Sequence, residues 1–244
     1  ELLFAQNSEN DTYIGGTTNI LENAVLTIGN DESDITPGKF IGDGAINQTG
    51  SKDLILDADN SGFHGSASIT GGNLIVKDNS FFASDSTTEI SNVVEFNTSS
   101  NKEISINNDG DLITGSGSLL KTGAGKLILT GNNSALTGGT EIHAGVLEYD
   151  TTGNSTDSMV GGNINISNNT FIVKNTSDST FDLDNNLLGS GTFNVKGNVS
   201  ISGDDSQYTG VTNILSDSVL SFEKTAGSSF VGGLVNVTGE LEYT

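Results

Sequence analysis

Apolar and polar residues alternate in short runs along the whole chain. This period of two is typical of β-strands that bury one face, and Gly, Asn, Asp and Ser bound the runs. A helical stripe of apolar residues is nowhere sustained beyond two turns. The pattern predicts an all-β protein, with clear strand signals over 163–166, 171–173, 181–183 and 193–195.

A longer period is superimposed on the strands. The form Gly-x-Gly-x-apolar occurs at 42–46, 115–119 and 189–193, so its copies are 73 and 74 residues apart. Each copy continues with a strand, a large residue two positions before a Gly, an Ile four positions after that Gly, and a second strand. The matching residues are Leu54, Leu56, Phe63, Gly65, Ile69, Leu74 and Val76, then Leu127, Leu129, Leu136, Gly138, Ile142, Leu147 and Tyr149, then Val199, Ile201, Tyr208, Gly210, Ile214, Leu220 and Phe222.

The repeats favour a solenoid, in which each coil of chain adds one rung to a continuous stack. The period divides into three coils of about 24 residues, so 244 residues give roughly ten rungs and a rod of roughly 50 Å at a strand spacing of about 4.8 Å. We expect a single segment over 1–244, with degenerate repeats at about 1–30, 42–77, 115–150 and 189–223.

Alternation also predicts which side chains enter the narrow core of such a rod. Leu127, Leu129, Ile142 and Leu147 should be buried together, and Lys126 and Thr130 should lie outside. The outer surface should carry rows of Thr, Asn, Ser and Asp that stack from rung to rung.

Composition and charge narrow the classes of function. The chain has no Cys, which excludes a disulfide scaffold, a thiol enzyme and a cysteine-ligated metal centre. Nine Lys and no Arg oppose 31 acidic residues, and the net charge of −22 argues against a nucleic-acid or anionic-membrane partner. No stretch approaches the roughly 18 apolar residues of a membrane span, so we do not expect the segment to insert into a membrane.

The copy at 115–150 resembles a repeat of a known family. Its sequence over 115–147, with Lys121, Gly125, Gly131 and the pair Gly138-Gly139, resembles the autotransporter-associated β-strand repeat of bacterial type V secreted proteins. The copy departs at Leu136, where that repeat usually has Tyr or Phe.

The resemblance implies a right-handed parallel β-helix that is exported and then displayed at the bacterial surface or secreted. It does not imply one activity, because such passengers include adhesins, autoaggregation factors, toxins and proteases. The chain begins as though in mid-strand at Glu1, and we interpret it as a segment of a longer passenger.

Few residues are candidates for chemistry. His64 and His143 occupy non-equivalent repeat positions, and we expect both on the surface or at corners, without a catalytic role. The acid pairs Asp57 with Asp59, Asp182 with Asp184, and Asp204 with Asp205 are expected to form solvated faces. The densest acidic cluster, 31–34, is interpreted as a solvated loop, because calcium-binding nonapeptides and EF-hand loops are absent. We therefore expect no catalytic, metal or cofactor site.

The leading hypothesis is a non-enzymatic passenger that acts as an adhesin, a self-association rod and a scaffold. Its partner would be a host surface protein, a glycan or another copy of the chain. Two alternatives stay open from the sequence: a carbohydrate-active β-helix enzyme, and a pure stalk for domains outside the segment.

Overall fold

The computed structural model describes residues 2–5, 14–106, 113–131, 133–151, 161–222 and 232–243. These residues form 26 β-strands and no helix, and the paired strands are parallel. The strands stack as a β-solenoid of about ten turns with roughly 21–24 residues per turn. The predicted all-β solenoid is confirmed. Of the degenerate repeat at about 1–30, residues 2–5 and 14–30 are described, and the rest lies outside the described residues.

Each turn visits three faces in the same order. Face one contains β1 (Leu2–Ala5), β3 (Val25–Gly29), β5 (Ala45–Gln48), β8 (Ser66–Ile69), β10 (Thr87–Ile90) and β13 (Ile113–Thr114), then β20 (Phe181–Leu183), β24 (Val219–Phe222) and β26 (Glu240–Tyr243). Face two contains β6 (Leu54–Leu56), β9 (Leu74–Lys77), β11 (Val93–Asn97), β14 (Ser118–Thr122), β16 (Thr140–Ile142), β18 (Ile164–Ile166) and β21 (Leu187–Gly189).

Face three contains β2 (Thr17–Asn19), β4 (Lys39–Gly42) and β7 (Gly62–Phe63), then β12 (Glu103–Ile106), β15 (Lys126–Thr130), β17 (Val146–Asp150), β19 (Thr170–Asn175), β22 (Thr192–Ile201), β23 (Val211–Ile214) and β25 (Leu234–Val237). β22 continues around the corner, so its second half pairs with β20 and β24 on face one.

The sequence repeat advances by one face from copy to copy. Gly42 precedes β5 on face one, Gly115 precedes β14 on face two, and Gly189 precedes β22 on face three. The separation of 73 or 74 residues therefore contains three turns and one further face, rather than three whole turns. This count fits turns of roughly 21–24 residues.

The core follows the predicted alternation. Leu127 pairs in register with Ile104 and Leu147, and Leu129 pairs with Ile106 and Tyr149. Leu127, Leu129, Ile142 and Leu147 are all buried, whereas Lys126 and Thr130 lie on the outer face. The face assignment made from the sequence is confirmed.

The glycines of the repeat touch one another across successive turns. A Cβ atom on the Gly after the large residue would clash with the carbonyl oxygen of the second Gly of Gly-x-Gly, one turn earlier. The distances would be 1.7 Å for Gly65 to Gly44, 2.4 Å for Gly138 to Gly117 and 2.0 Å for Gly210 to Gly191. The repeat keeps these glycines because two backbones pass in contact at this corner.

Candidate functional surface

The two histidines lie on the surface, as predicted. His64 Nδ1 is 2.7 Å from Asp85 Oδ1, and His143 Nε2 is 2.8 Å from Glu141 Oε2. The hydrogen bond from His64 is the main reason that the pKa of Asp85 is lowered. Among the described residues, neither imidazole is bonded to a hydroxyl that it could activate as a nucleophile. Each pair is therefore an exposed link between a histidine and one carboxylate.

The acid pair of the first repeat forms ion pairs between turns. Asp57 Oδ2 lies 3.1 Å from Lys77 Nζ, and Asp59 Oδ2 lies 3.5 Å from Lys39 Nζ. Hydrogen bonds from Ser61, helped by Lys39, lower the pKa of Asp59. A general acid needs a raised pKa to hold its proton at neutral pH, and Asp59 has the opposite environment.

Asp205 contradicts the expected solvated face, because its side chain is fully buried. Its Oδ1 accepts the Leu187 N–H at 2.6 Å, and its Oδ2 has no hydrogen-bond partner. Burial raises the pKa of Asp205 to about 6. The equivalent residue in the first copy is Asn60, whose Oδ1 likewise accepts a backbone N–H, from Phe40, at 2.7 Å. Asp205 thus occupies a corner position that an asparagine side chain fills in the first copy.

The acidic cluster 31–34 joins neighbouring turns. Asp31 Oδ1 accepts the Ser51 N–H at 2.8 Å, and Asp34 Oδ1 accepts the Asp53 N–H at 3.0 Å. Both aspartates are exposed, which agrees with a solvated loop. A search of the described residues finds no group of three or more metal-ligating side chains.

A buried lysine was missed by the sequence analysis. Lys121 points into the core from β14, and its Nζ donates to the carbonyl oxygens of Thr122, Gly123 (2.9 Å) and Ala144 (3.2 Å). Desolvation lowers the pKa of Lys121 to about 8. Gln48 holds the same repeat position and donates to the Gly50 carbonyl at 2.7 Å. Strict alternation from Leu119 could have placed Lys121 inside the core.

The outer surface is held together by contacts between turns. On face three, Lys126 Nζ lies 2.7 Å from Glu148 Oε2, and Lys174 Nζ lies 2.6 Å from Asp150 Oδ2. The hydrogen bond and charge of Asp150 raise the pKa of Lys174, so the lysine keeps its positive charge at neutral pH.

Polar rows stack from turn to turn, as predicted, and on face one the row reads Thr27, Asn47, Ser68, Glu89 and Thr114. One amide ladder climbs face three, where Asn213 Nδ2 donates to Asn194 Oδ1 (2.8 Å) and Asn236 Nδ2 donates to Asn213 Oδ1 (2.9 Å). Lower on the same face the row reads Ile128, Glu148 and Ile172. The row on face three therefore changes from mainly apolar to amide along the stack.

Part of the chain matches a known protein family. Residues 119–148 match the family model described as passenger-associated-transport-repeat. The matched segment runs from β14 into β17 and includes Lys121 and the carbonyl groups that it binds. No curated protein and no solved structure matches the chain significantly. In the described ranges, no helix is long and apolar enough to cross a membrane.

Proposed function

We propose that the chain is a non-enzymatic rod at the bacterial surface or in secreted form. It carries a passenger-associated-transport-repeat on a β-solenoid, as an autotransporter passenger segment does. The rod holds adhesive surfaces away from the cell. Its own outer face contacts a host surface protein, a glycan or another copy of the chain.

One observation carries the rod function: charged side chains of adjacent turns pair with each other along the stack. Lys77, Lys126 and Lys174 each lie within 3.1 Å of a carboxylate that belongs to a neighbouring turn. The exposed pair of Lys77 and Asp57 contributes little by itself, at about 0–1 kcal/mol. The pairs of Lys126 and Lys174 are partly buried. Repeated along a continuous core, they resist bending of one turn against the next.

The adhesive function is supported by the amide ladder of Asn194, Asn213 and Asn236. Its residues form a regular row with one strand spacing, about 4.8 Å, between neighbours. Amide groups offer donors and acceptors to a polar partner without adding charge.

The test uses cells that display the full protein. Deletion of 42–114 joins Ile41 to Gly115, which retains the repeat motif at the junction while removing one period. A second variant replaces Asn194, Asn213 and Asn236 with Ala. Its matched control replaces Asn47, Ser68 and Thr114 on face one with Ala.

We expect the deletion to reduce adherence or aggregation of cells, and the ladder variant to reduce it more than its control. Surface amounts, measured with an antibody to a terminal tag, must be equal. Unchanged adherence and aggregation after the deletion would contradict the proposed function.

A further inference from the structure

The ladder of strands on face three is interrupted between β7 and β12. β7 and β12 belong to turns that are separated by one intervening turn, and that turn carries the loop 78–86 at this place. The Ala83 N–H donates to the Phe63 carbonyl at 3.0 Å, which ties the loop to β7. A cleft of about 720 Å³ remains beneath β12.

Among the described residues, no strand pairs with the cleft side of β12, so its backbone edge faces the cleft. β12 is the first strand of its sheet, with β15 as its neighbour on the other side. The Lys126 N–H donates to the Lys102 carbonyl at 3.0 Å, which directs the backbone groups of Lys102 and Ile104 towards β15. Backbone groups alternate in direction along a parallel strand, so those of Glu103 and Ser105 point into the cleft. An open edge of this kind is a template for another strand.

The floor of the cleft is apolar and preformed. Phe81 and Phe82 line it with ring centroids 5.4 Å apart. Phe82 lies 4.8 Å from Phe63, and Phe81 lies 5.6 Å from Phe96 in an edge-to-face contact. Because the core holds these rings on both sides, a ligand finds the floor already ordered, which lowers the entropic cost of binding.

The charged groups of the cleft are acidic. Asp59 and Glu103 line it, and their side chains are 66% and 55% exposed. Their lysine partners, Lys39 at 3.5 Å and Lys126 at 4.0 Å, are not lining residues. With a net charge of −22 on the whole chain, the field around the cleft attracts cationic ligands.

We propose that this cleft binds an extended, lysine- or arginine-containing peptide segment of another protein as an added strand against β12. Backbone groups of the segment bond to Glu103 and Ser105, and its cations lie beside Asp59 and Glu103. Its apolar side chains lie over Phe81 and Phe82, each of which keeps 6% of its surface exposed. This goes beyond the proposed rod function and does not depend on it.

The test measures binding of synthetic peptides by calorimetry. The probe is a six-residue peptide of alternating valine and lysine with blocked ends. One comparison peptide has glutamate in place of lysine, and another carries N-methyl groups on the amides of one edge. We expect the glutamate and N-methylated peptides to bind at least tenfold more weakly than the probe, and the Ser105 amide to gain hydrogen-exchange protection with the probe.

Protein variants locate the site. The double variant Asp59→Asn with Glu103→Gln should weaken binding of the probe about tenfold and flatten its salt dependence. The matched control, Asp57→Asn with Glu89→Gln, removes the same charge outside the cleft and should leave binding within about twofold. Equal binding of all three peptides, or equal weakening by both double variants, would overturn the proposal.

Discussion

At the scale of single residues, the corner position three residues before the large residue of each repeat is occupied by Asn60, Asn133 and Asp205. Asn60 uses both halves of its amide, since Oδ1 accepts the Phe40 N–H and Nδ2 donates to the Ala58 and Ser80 carbonyls. An ionised aspartate can only accept hydrogen bonds, so Asp205 replaces the accepting oxygen of the asparagine amide but not its donating N–H groups.

We predict that Asp205→Asn stabilises the protein at pH 7. The folded-state pKa of about 6 lies above the unfolded value of about 3.9, so the wild type loses stability as pH rises between about 4 and 6. The variant should gain about 3 kcal/mol in urea unfolding at pH 7 and nothing at pH 4. Asp184→Asn, on the exposed surface, should change stability little at either pH.

A second prediction concerns Lys121. Lys121→Met removes the donor to the carbonyl groups of Gly123 and Ala144 and should cost about 1–3 kcal/mol, because buried acceptors lose their partner. Lys121→Gln should cost less, since Gln48 serves the same position with its amide.

Titration separates the buried charge of Lys121 from its packing. Its folded-state pKa of about 8 lies below the unfolded value of about 10.4, so the wild type should gain stability relative to Lys121→Gln as pH rises from about 8 to about 10.4. A constant difference between the two unfolding curves across that range would show that Lys121 does not titrate in the fold.

At the scale of the strand, alternation decides which substitutions the rod tolerates. Leu129→Asp places a charge between Ile106 and Tyr149 in a dry stack and should cost several kcal/mol in denaturant unfolding. Ile128→Lys, one residue away on the outer face beside Glu148, should stay within about 1 kcal/mol. A loss below about 1 kcal/mol for Leu129→Asp would contradict the inward assignment.

The inward and outward positions of strand residues could be predicted from the sequence, whereas those of corners and loops could not. Pairs such as Leu127 and Leu129 were assigned correctly because strand alternation and burial share a period of two. The burial of Asp205 was not predicted, because it lies in a corner outside the strands, where alternation gives no information. The cleft beside β12 was also beyond prediction, since the turn between β7 and β12 forms a loop at 78–86 where the neighbouring turns have a strand.

At the scale of the whole molecule, charge should control self-association. Rods with a net charge of −22 repel one another, and ions at 0.15 M screen that repulsion beyond about 8 Å. We predict that pairing of rods strengthens with added salt, or with acidification towards the isoelectric point near 4.1, and is weakest in dilute neutral buffer. Sedimentation velocity measures this directly. A dimer that dissociates as salt rises would instead indicate attractive charge pairs at the interface.

Because each sequence period spans three turns and one further face, successive copies of the repeat start on different faces of the rod. Adding one period by duplication lengthens the stack by three and a third turns and rotates the new copy by a third of a circle about the axis. Three periods bring the pattern back to its starting direction after ten turns, which is about the length of this solenoid. Growth by duplication therefore presents the same side chains in three directions, so a partner can approach the rod from any side.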